Sequence, residues 1–245
     1  MLLEEQEISK FRSTTMTLSI QKYNHPLTLP NKNELAMKNI INRNMNHKPK
    51  GYTKFQYFQK RVVDIVVGGS LLLVAVPVIL YSLRRIKKES PGAILFKQSR
   101  IGLNGKAFTC YKFRSMHEDS HFNPYTQEND SRIFPFGNTM RKMRIDELPQ
   151  LINVLKGEMH LIGPRAEWDI LVKDYEKIIP NYHDRHLVAP GITGLAQVCY
   201  PYGRDVEDAK EKLKFDMEYI NNWSLWKEIK VVLKTIEVVL GKRGM

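Results

Sequence analysis

Residues 62–83, VVDIVVGGSLLLVAVPVILYSL, decide the fold of this chain. Asp64 is the single charged residue in this stretch, and about 20 apolar residues suffice for a helix to cross the hydrocarbon core of a bilayer. A buried helix of a soluble protein is the alternative, but few such helices are apolar on every face. The stretch therefore favours a membrane helix.

Basic residues flank this segment at both ends. Lys60 and Arg61 precede it, and four more follow it, namely Arg84, Arg85, Lys87 and Lys88. Because basic residues beside membrane segments prefer the cytoplasmic side, both ends favour the same side of the bilayer. Pro77 lies inside the segment, where proline removes a backbone donor and clashes with the preceding turn. These features favour a re-entrant hairpin, broken near Pro77, that enters and leaves by one face; a straight span is the alternative, since long basic side chains can snorkel.

The net charge narrows the choice of partner. The chain has 245 residues with 38 Lys and Arg against 26 Asp and Glu, a net charge of +12. Such an excess suggests nucleic acid, an acidic membrane surface or phosphorylated substrates. The excess lies in residues 1–114, whereas residues 115–245 hold slightly more acidic than basic residues. This distribution argues against nucleic acid as a partner and favours anionic membrane lipids.

The cysteines and the polar N-terminal residues indicate how the chain is divided into domains. Two cysteines, Cys110 and Cys199, lie in no metal-ligand spacing and exclude a scaffold built on disulfides. Residues 1–50 are polar, rich in Asn and Lys, and their first half has no continuous apolar run that would indicate a secretory signal. We predict a flexible N-terminal extension over 1–56 and one membrane-associated domain over 57–245.

A β-hairpin with basic residues follows the apolar segment. Residues 101–113, IGLNGKAFTCYKF, contain Asn104-Gly105, a strong signal for a tight hairpin turn. Four basic residues surround it: Lys97, Arg100, Lys112 and Arg114. They form either a solvated surface beside an acidic membrane or a cradle for phosphate. Residues 115–139 are polar and predict a loop over this region.

Two adjacent carboxylates mark the next segment, residues 140–160, MRKMRIDELPQLINVLKGEMH. Apolar residues at helical spacing predict a helix that ends at Gly157 and carries Pro149 in its first turn. Asp146 and Glu147 would then lie at the helix N-terminus, where capping explains carboxylates. Several cations precede the pair, namely Arg141, Lys142 and Arg144, and this setting also suits metal-assisted phosphoryl chemistry.

Two glycine-containing motifs follow. LIGPR, residues 161–165, places Arg165 at a rigid turn, where it could contact phosphate or serve a structural role. APGITGLAQV, residues 189–198, predicts turns and a short strand in which glycines allow a close backbone approach to a ligand. Between the two motifs we predict a helix that breaks near Pro180, and we assign His183 and His186 structural roles.

The C-terminal residues predict two helices. Residues 205–221 have charges at helical spacing, which is typical of a solvated face. Residues 223–240 are amphipathic, with an apolar stripe of Trp226, Ile229, Val232, Leu233, Ile236 and Leu240. This stripe suits a membrane interface, and packing on a soluble core explains it equally. Together the segments predict an α+β fold, mostly helical: a monotopic membrane protein with a re-entrant helix, amphipathic interfacial helices and a small hairpin.

In their order and spacing these motifs resemble one known family over about residues 57–241. The chain is similar to the bacterial monotopic phosphoglycosyl transferases, the sugar transferases that start membrane glycoconjugates. The resemblance is carried by SPGAILFKQSRIG, FTCYKFRSM, RIDELPQLINVLKGEM, LIGPR and PGITGLAQV, together with the basic-flanked apolar segment. Members of the family have a re-entrant membrane helix broken at a proline, which matches Pro77.

The resemblance implies a reaction and a location. A sugar 1-phosphate passes from a UDP-sugar to polyprenyl phosphate, usually undecaprenyl phosphate, and UMP is released. The reaction takes place at the cytoplasmic face of the bacterial inner membrane, as the first membrane step of exopolysaccharide, capsule, O-antigen or glycoprotein glycan synthesis. Downstream glycosyltransferases would be further partners, and the sequence does not name the sugar.

The resemblance also implies site residues. Asp146 would be the nucleophile that carries a phosphosugar, and Glu147 would help to place Mg²⁺ or the acceptor phosphate, so both are expected as metal ligands. The expected substrate-binding residues are Lys112, Arg114, Arg141, Pro164, Arg165, Thr193, Gly194 and Gln197. The chain departs from the family pattern at Val76, at Arg144 and over 199–203. Two other hypotheses are a non-catalytic membrane scaffold for polysaccharide-assembly enzymes, which would need none of these site residues, and a nucleic-acid binder, which the charge distribution disfavours.

Overall fold

The computed structural model describes residues 49–118, 130–200 and 205–240. Most of the predicted N-terminal extension lies outside the described residues, as do the middle of the predicted loop over 115–139 and most of the 199–203 segment. The described helices are α1 Lys54–Glu89, α2 Pro135–Lys142, α3 Gln150–Lys156, α4 Asp169–Ile178, α5 Leu195–Cys199, α6 Val206–Asn221 and α7 Leu225–Leu240. The described strands are β1 Leu95–Ile101, β2 Ala107–Phe113, β3 His160–Ile162 and β4 Gly191–Thr193.

The described chain is mostly helical with two small sheets. Strands β1 and β2 pair antiparallel, and β3 and β4 pair parallel. The tight turn predicted at Asn104-Gly105 is confirmed, because Asn104 has φ 55° and Gly105 has φ +73°, the left-handed conformation that these residue types accept. The predicted mostly helical α+β fold is therefore confirmed in its broad class.

Helix α1 contains the apolar segment. A capping box starts the helix, in which the Gln56 amide donates to Thr53 Oγ1 at 3.2 Å and the Thr53 amide donates to Gln56 Oε1 at 2.9 Å. The helix is long and apolar enough to cross a membrane, and most of its apolar stretch is exposed. Pro77 lies inside the helix, which runs through this position without interruption. The expected break at Pro77 is therefore not a division into two helices.

Both ends of α1 pack against the same protein body. In its first half, Gly68 lies against Val154 of α3 and Leu161 of β3. Near its end, Ile86 is fully buried in a cluster with Phe113, Phe134, Phe136 and Met140. These two contacts are about 27 Å apart along the helix axis. The middle of the helix is left exposed between them, as at Leu73 and Val74.

The basic residues before the apolar segment contact protein groups. Lys60 is 1% exposed, forms an ion pair with Glu228 of α7, and donates to the Ile162 carbonyl oxygen at 3.0 Å. Arg61 donates to the Val154 carbonyl oxygen at 2.7 Å, at the C-terminal end of α3, where helix carbonyls attract cations. These two basic residues therefore satisfy polar groups of the protein, which the sequence pattern did not predict.

Several predicted element boundaries are wrong. Residues 135–139, predicted as part of a loop, begin α2. Within 189–198 the predicted short strand is β4, Gly191–Thr193, and the helix α5 that follows it was not predicted. Helix α3 begins at Gln150, after the carboxylate pair, and ends at Gly157 as predicted, in the left-handed conformation with φ 85°.

Helix α7 presents its apolar stripe to the outside. Trp226 is 72% exposed and Leu233 is 62% exposed, and Ile229, Val232 and Ile236 are exposed as well. The opposite side is the buried one, where Val231 and Glu228 lie. The alternative that this stripe packs on a soluble core is therefore wrong, and an exposed stripe of this kind suits a membrane interface.

Candidate active site

The two carboxylates lie in a short 3₁₀ turn, Ile145–Glu147, between α2 and α3. Arg144 precedes the turn in the left-handed conformation with φ 57°, which reverses the chain direction after α2. Neither carboxylate caps a helix, because Pro149 occupies the cap position of α3 and accepts no side-chain hydrogen bond there. Helix capping therefore does not explain why carboxylates occupy positions 146 and 147.

Glu147 is buried among cations from three parts of the chain. Its Oε1 atom accepts a hydrogen bond from Lys112 Nζ of β2 at 2.8 Å. A guanidinium nitrogen of Arg165 lies 3.6 Å away, and one of Arg144 lies 3.8 Å away. Burial alone would raise the pKa of Glu147, but Lys112, Arg165 and Arg144 hold it well below its ordinary value. Glu147 is therefore an anion that organises three cations.

Asp146 has the opposite environment. It is 8% exposed, and its Oδ1 atom is buried without a hydrogen-bond partner. Burial raises the pKa of Asp146 and the charge of Glu147 adds to this effect, while Lys112 and Arg141 oppose it. A buried carboxylate oxygen left unsatisfied is costly unless a ligand or ion completes it.

The carboxylate pair fits a divalent cation that also binds substrate phosphates. Among the described residues, His, Cys, Asp and Glu form no group of three or more that could hold a metal ion by itself. Mg²⁺ usually takes one or two protein carboxylates and completes its shell with water and substrate phosphate oxygens. The unsatisfied Asp146 Oδ1 beside the Glu147 carboxylate is the donor set that this mode of binding needs.

A cationic cleft opens next to Glu147. Its lining includes Arg100, Cys110, Lys112, Gln150, Arg165 and Gly191. Lys112 and Arg165 belong both to the cleft and to the group around Glu147. Three cations, Arg100, Lys112 and Arg165, line this small cleft, and such groups favour the anionic oxygens of a phosphate. Burial raises the pKa of the Cys110 thiol, so this residue is a neutral part of the lining.

The structure brings three of the predicted substrate-binding residues to the carboxylates. Lys112 and Arg165 contact Glu147 directly. Arg141 of α2 donates from Nε to Ser115 Oγ at 2.8 Å, and its charge acts on Asp146. Pro164 directly precedes Arg165, and its carbonyl oxygen accepts from the Gly191 amide at 2.8 Å.

Other predicted substrate-binding residues have contacts elsewhere. Arg114 is buried and donates to Ser90 Oγ at 2.9 Å and to the Ser90 carbonyl oxygen at 2.6 Å, which fixes the end of α1 to β2. Thr193 Oγ1 lies 2.8 Å from Thr235 Oγ1 of α7, and Gln197 Nε2 donates to the Ile192 carbonyl oxygen at 2.9 Å. The contacts of these three residues serve the packing of elements around the cleft.

The glycines of the PGITG motif approach protein backbone. A Cβ atom on Gly191 would lie 2.0 Å from the Gly163 nitrogen, and one on Gly194 would lie 2.0 Å from the Gly163 carbonyl oxygen. The missing side chain of Gly194 therefore lets its segment pack against the LIGPR motif, and a ligand contact at Gly194 stays a prediction. Gly191 both pairs with β3 and lines the cleft.

Three further residues lie at the site. Arg144 and Gln150 were not predicted as substrate-binding residues, whereas Arg100 was predicted as part of a possible phosphate cradle at the hairpin. The hairpin register links Arg100 to Lys112. Arg100 pairs with Phe108 and Phe96 pairs with Lys112, so Arg100 and Lys112 lie on the same face of the hairpin. Arg144 follows α2 in sequence, and only its left-handed backbone brings its side chain back toward Glu147.

Comparisons with known proteins identify relatives of this chain. The sequence profile of a family described as bacterial sugar transferase matches residues 55–242. The chain is 44% identical over 189 residues to a UDP-N-acetylgalactosamine-undecaprenyl-phosphate N-acetylgalactosaminephosphotransferase of Aeromonas hydrophila, covering 76% of this chain and 45% of that protein. It is 41% identical over 186 residues to a UDP-glucose:undecaprenyl-phosphate glucose-1-phosphate transferase of Caulobacter vibrioides, covering 74% and 70%. It is 40% identical over 193 residues to an exopolysaccharide production protein of Rhizobium leguminosarum, covering 75% and 96%. The chain thus spans less than half of the Aeromonas relative and most of the other two.

Proposed function

The chain belongs to the bacterial sugar transferase family, and from this premise we propose that it transfers a sugar 1-phosphate from a UDP-sugar to undecaprenyl phosphate or a similar polyprenyl phosphate. The observation that carries the proposal is the buried Asp146–Glu147 pair with Lys112, Arg144 and Arg165 around it. The names of the relatives from Aeromonas and Caulobacter support the substrate class. The sugar itself is left open, because those two relatives differ in it.

In the first step Asp146 acts as a nucleophile. A carboxylate oxygen of Asp146 attacks the β-phosphorus of the UDP-sugar, and the bond from that phosphorus to the bridging oxygen breaks. The electron pair leaves with UMP, and the sugar phosphate stays on Asp146 as an acyl phosphate. An anion attacks an anion here, so Lys112 and Arg165 serve to neutralise charge on the phosphate oxygens. Glu147 holds both cations in place.

In the second step the lipid substrate takes the sugar phosphate. An oxygen of polyprenyl phosphate attacks the same phosphorus, and the acyl phosphate bond to Asp146 breaks. The Asp146 carboxylate is regenerated, and a polyprenyl diphosphate sugar forms. Because UMP has left before the lipid reacts, the two substrates can use one cationic cleft in turn.

A divalent cation, which we propose is Mg²⁺, completes the site. Asp146 and Glu147 are the residues that would hold it, as the unsatisfied Asp146 oxygen suggests. When bound, such an ion neutralises phosphate charge and orients the diphosphate for in-line attack.

We propose that the domain over 57–245 sits on the cytoplasmic face of the bacterial inner membrane and that α1 is re-entrant over about residues 62–83. Support comes from the packing of both ends of α1 on one protein body, since a straight span would place its ends on opposite sides. The exposed stripe of α7 would lie in the interface, and anionic lipids would attract the remaining basic residues after the segment. This arrangement would hold the site at the depth of the lipid phosphate.

The decisive experiment measures UMP release and covalent labelling with purified protein. We expect wild-type protein to release UMP from a UDP-sugar in the presence of Mg²⁺ and polyprenyl phosphate. Without the lipid, we expect one sugar phosphate to bind covalently to each protein. Asp146→Asn should abolish both signals, and Glu147→Gln should slow release by about 100-fold or more.

The matched control is Glu218→Gln, which removes a carboxylate on α6 that pairs with Lys227 of α7 and does not line the cleft. This variant should keep wild-type release within about twofold. Full activity of Asp146→Asn would refute the nucleophile assignment. A wild-type protein that binds partner enzymes but turns over no UDP-sugar would favour the membrane scaffold instead.

A further inference from the structure

The segment that carries Arg165 is held at every backbone carbonyl. We call residues 164–167, Pro-Arg-Ala-Glu, the strap. All four of its carbonyl oxygens accept hydrogen bonds from outside the strap. The donors, in the order of the strap residues, are the Gly191 amide at 2.8 Å, Arg185 Nη2 at 3.0 Å, Arg100 Nη1 and the Ile101 amide at 3.1 Å. The position of Arg165 is therefore fixed from β4, from β1 and from the 3₁₀ turn Tyr182–Leu187.

Arg185 is the donor that holds Arg165 itself. Its side chain is 4% exposed and lies behind the strap, outside the lining of the cleft. Nη1 donates to the Tyr182 hydroxyl at 2.6 Å, while Nη2 lies 2.7 Å from Asp216 Oδ2 and 3.0 Å from the Arg165 carbonyl oxygen. The planar guanidinium also stacks over the Tyr182 ring, 5.1 Å from its centroid. The single planar guanidinium of Arg185 therefore joins the strap to α6.

These contacts require arginine at position 185. A guanidinium presents five donors in fixed directions, whereas a lysine ammonium is a single point at the end of a flexible chain. A lysine could pair with Asp216, but it could not hold the Tyr182 hydroxyl and the Arg165 carbonyl oxygen in the same geometry. Asp216, 1% exposed, supplies the opposite charge that makes a buried guanidinium stable.

We propose that Arg185, anchored by Asp216, is a positioning residue that holds the Arg165 guanidinium at Glu147 and at the substrate diphosphate. The inference rests on the proposed function, since it takes Arg165 as a diphosphate contact. Displacements of about 1 Å at a catalytic group can lower rates by about 100-fold. Loss of the Arg185 contact should therefore lower activity through Arg165, although Arg185 does not line the cleft.

A double-mutant cycle separates positioning from a general structural role. The variants are Arg185→Lys, Arg165→Ala and the two combined, and the readout is kcat/KM for UMP release with a UDP-sugar, Mg²⁺ and polyprenyl phosphate. We expect Arg185→Lys to lower kcat/KM by about 10-fold and Arg165→Ala to lower it by about 100-fold. In the Arg165→Ala background, Arg185→Lys should cost threefold or less, because the residue that it positions is already absent. A further loss of more than threefold would overturn the inference.

Binding of UDP gives a second readout that needs no turnover. UDP should raise the thermal unfolding midpoint of wild-type protein, and this rise should shrink in Arg185→Lys and in Arg165→Ala to a similar extent. If Arg185→Lys does not fold, Asp216→Asn replaces it in the cycle with the same threefold criterion. Glu218→Gln on the same helix is the matched control and should leave both readouts unchanged. An inactive wild type would refute the proposed function, whereas an active wild type with independent effects of the two residues would refute only the positioning role.

Discussion

Asp146 and Glu147 are adjacent in sequence and yet have opposite electrostatic environments. Glu147 is an anion because three cations surround it, and Asp146 is buried with one unsatisfied oxygen. Environments that shift the pKa values of two neighbouring carboxyl groups in opposite directions indicate different roles. Here Glu147 organises cations and Asp146 is the proposed nucleophile. The two residues differ because Glu147 accepts a hydrogen bond from Lys112, whereas the Asp146 Oδ1 atom has no partner.

Replacement of Lys112 tests this division of labour. Lys112→Met should lower kcat/KM for UMP release by about 100-fold or more, because Glu147 loses its hydrogen-bonded cation and the substrate phosphate loses a positive contact. Lys97→Met is the matched control on the same hairpin. Lys97 is exposed and lies on the opposite face, since it pairs with Tyr111. Equal losses of kcat/KM in both variants would mean that activity depends on the total positive charge of the hairpin and not on the position of Lys112.

The environment of His186 makes the stability of the folded protein depend on pH. Burial and the neighbouring Arg185 lower the pKa of His186 to about 3. The unfolded chain, with a histidine pKa near 6.5, binds more protons than the folded one below that pH. His186 therefore contributes a stability that is complete above about pH 6.5 and is lost as the pH falls toward 3, at up to about 1.4 kcal/mol per pH unit.

The measurement is the thermal unfolding midpoint between pH 7.5 and pH 5. His186→Phe keeps an aromatic ring beside Tyr182 and should flatten the decline of the midpoint. A smaller decline should persist, because burial also lowers the pKa of His160. An unchanged slope in His186→Phe would contradict the assignment.

At the scale of elements, the contact between the LIGPR and PGITG motifs places the strap beside β2. The close approach depends on glycine, since a Cβ atom at Gly194 would lie 2.0 Å from the Gly163 carbonyl oxygen. A clash with backbone cannot be relieved by a change of rotamer. The two segments must therefore separate if position 194 acquires a side chain.

Gly194→Ala should lower the free energy of unfolding by about 1–3 kcal/mol, because one added methyl group forces a backbone shift. The same shift displaces the start of the strap, so kcat/KM should fall as well. Gly69→Ala is the control, since nothing lies within 4 Å of a Cβ atom there. The measurements are chemical unfolding in detergent and UMP release. A fully stable and active Gly194→Ala protein would show that the motifs tolerate separation.

Local patterns predicted the elements better than they predicted the site. The Asn104-Gly105 turn, the long apolar helix and the glycine end of α3 depend on neighbouring residues, and the sequence predicts them. The partners of Lys60 and Arg114, which are Glu228 and Ser90, were not predicted, because only tertiary packing identifies them. A basic residue beside an apolar segment has the same sequence signature whether it faces lipid or a buried carboxylate.

At the scale of the whole molecule, the position of both ends of α1 makes a topological prediction. Cysteines placed at the exposed ends, Lys54→Cys and Lys88→Cys, should both be cytoplasmic if the helix is re-entrant. A membrane-impermeant thiol reagent should label neither in intact cells and both after permeabilisation. The background variant lacks the free cysteines Cys110 and Cys199. Labelling of one end alone in intact cells would show a straight span.

The ion pair between Lys60 and Glu228 also constrains biosynthesis. The two residues are 168 positions apart, so the ribosome makes the lysine roughly 10 to 30 s before its partner. During that interval Lys60 of helix α1 lacks the carboxylate that pairs with it in the folded protein. Helix α1 therefore reaches its final packing only after α7 has been synthesised and supplies Glu228.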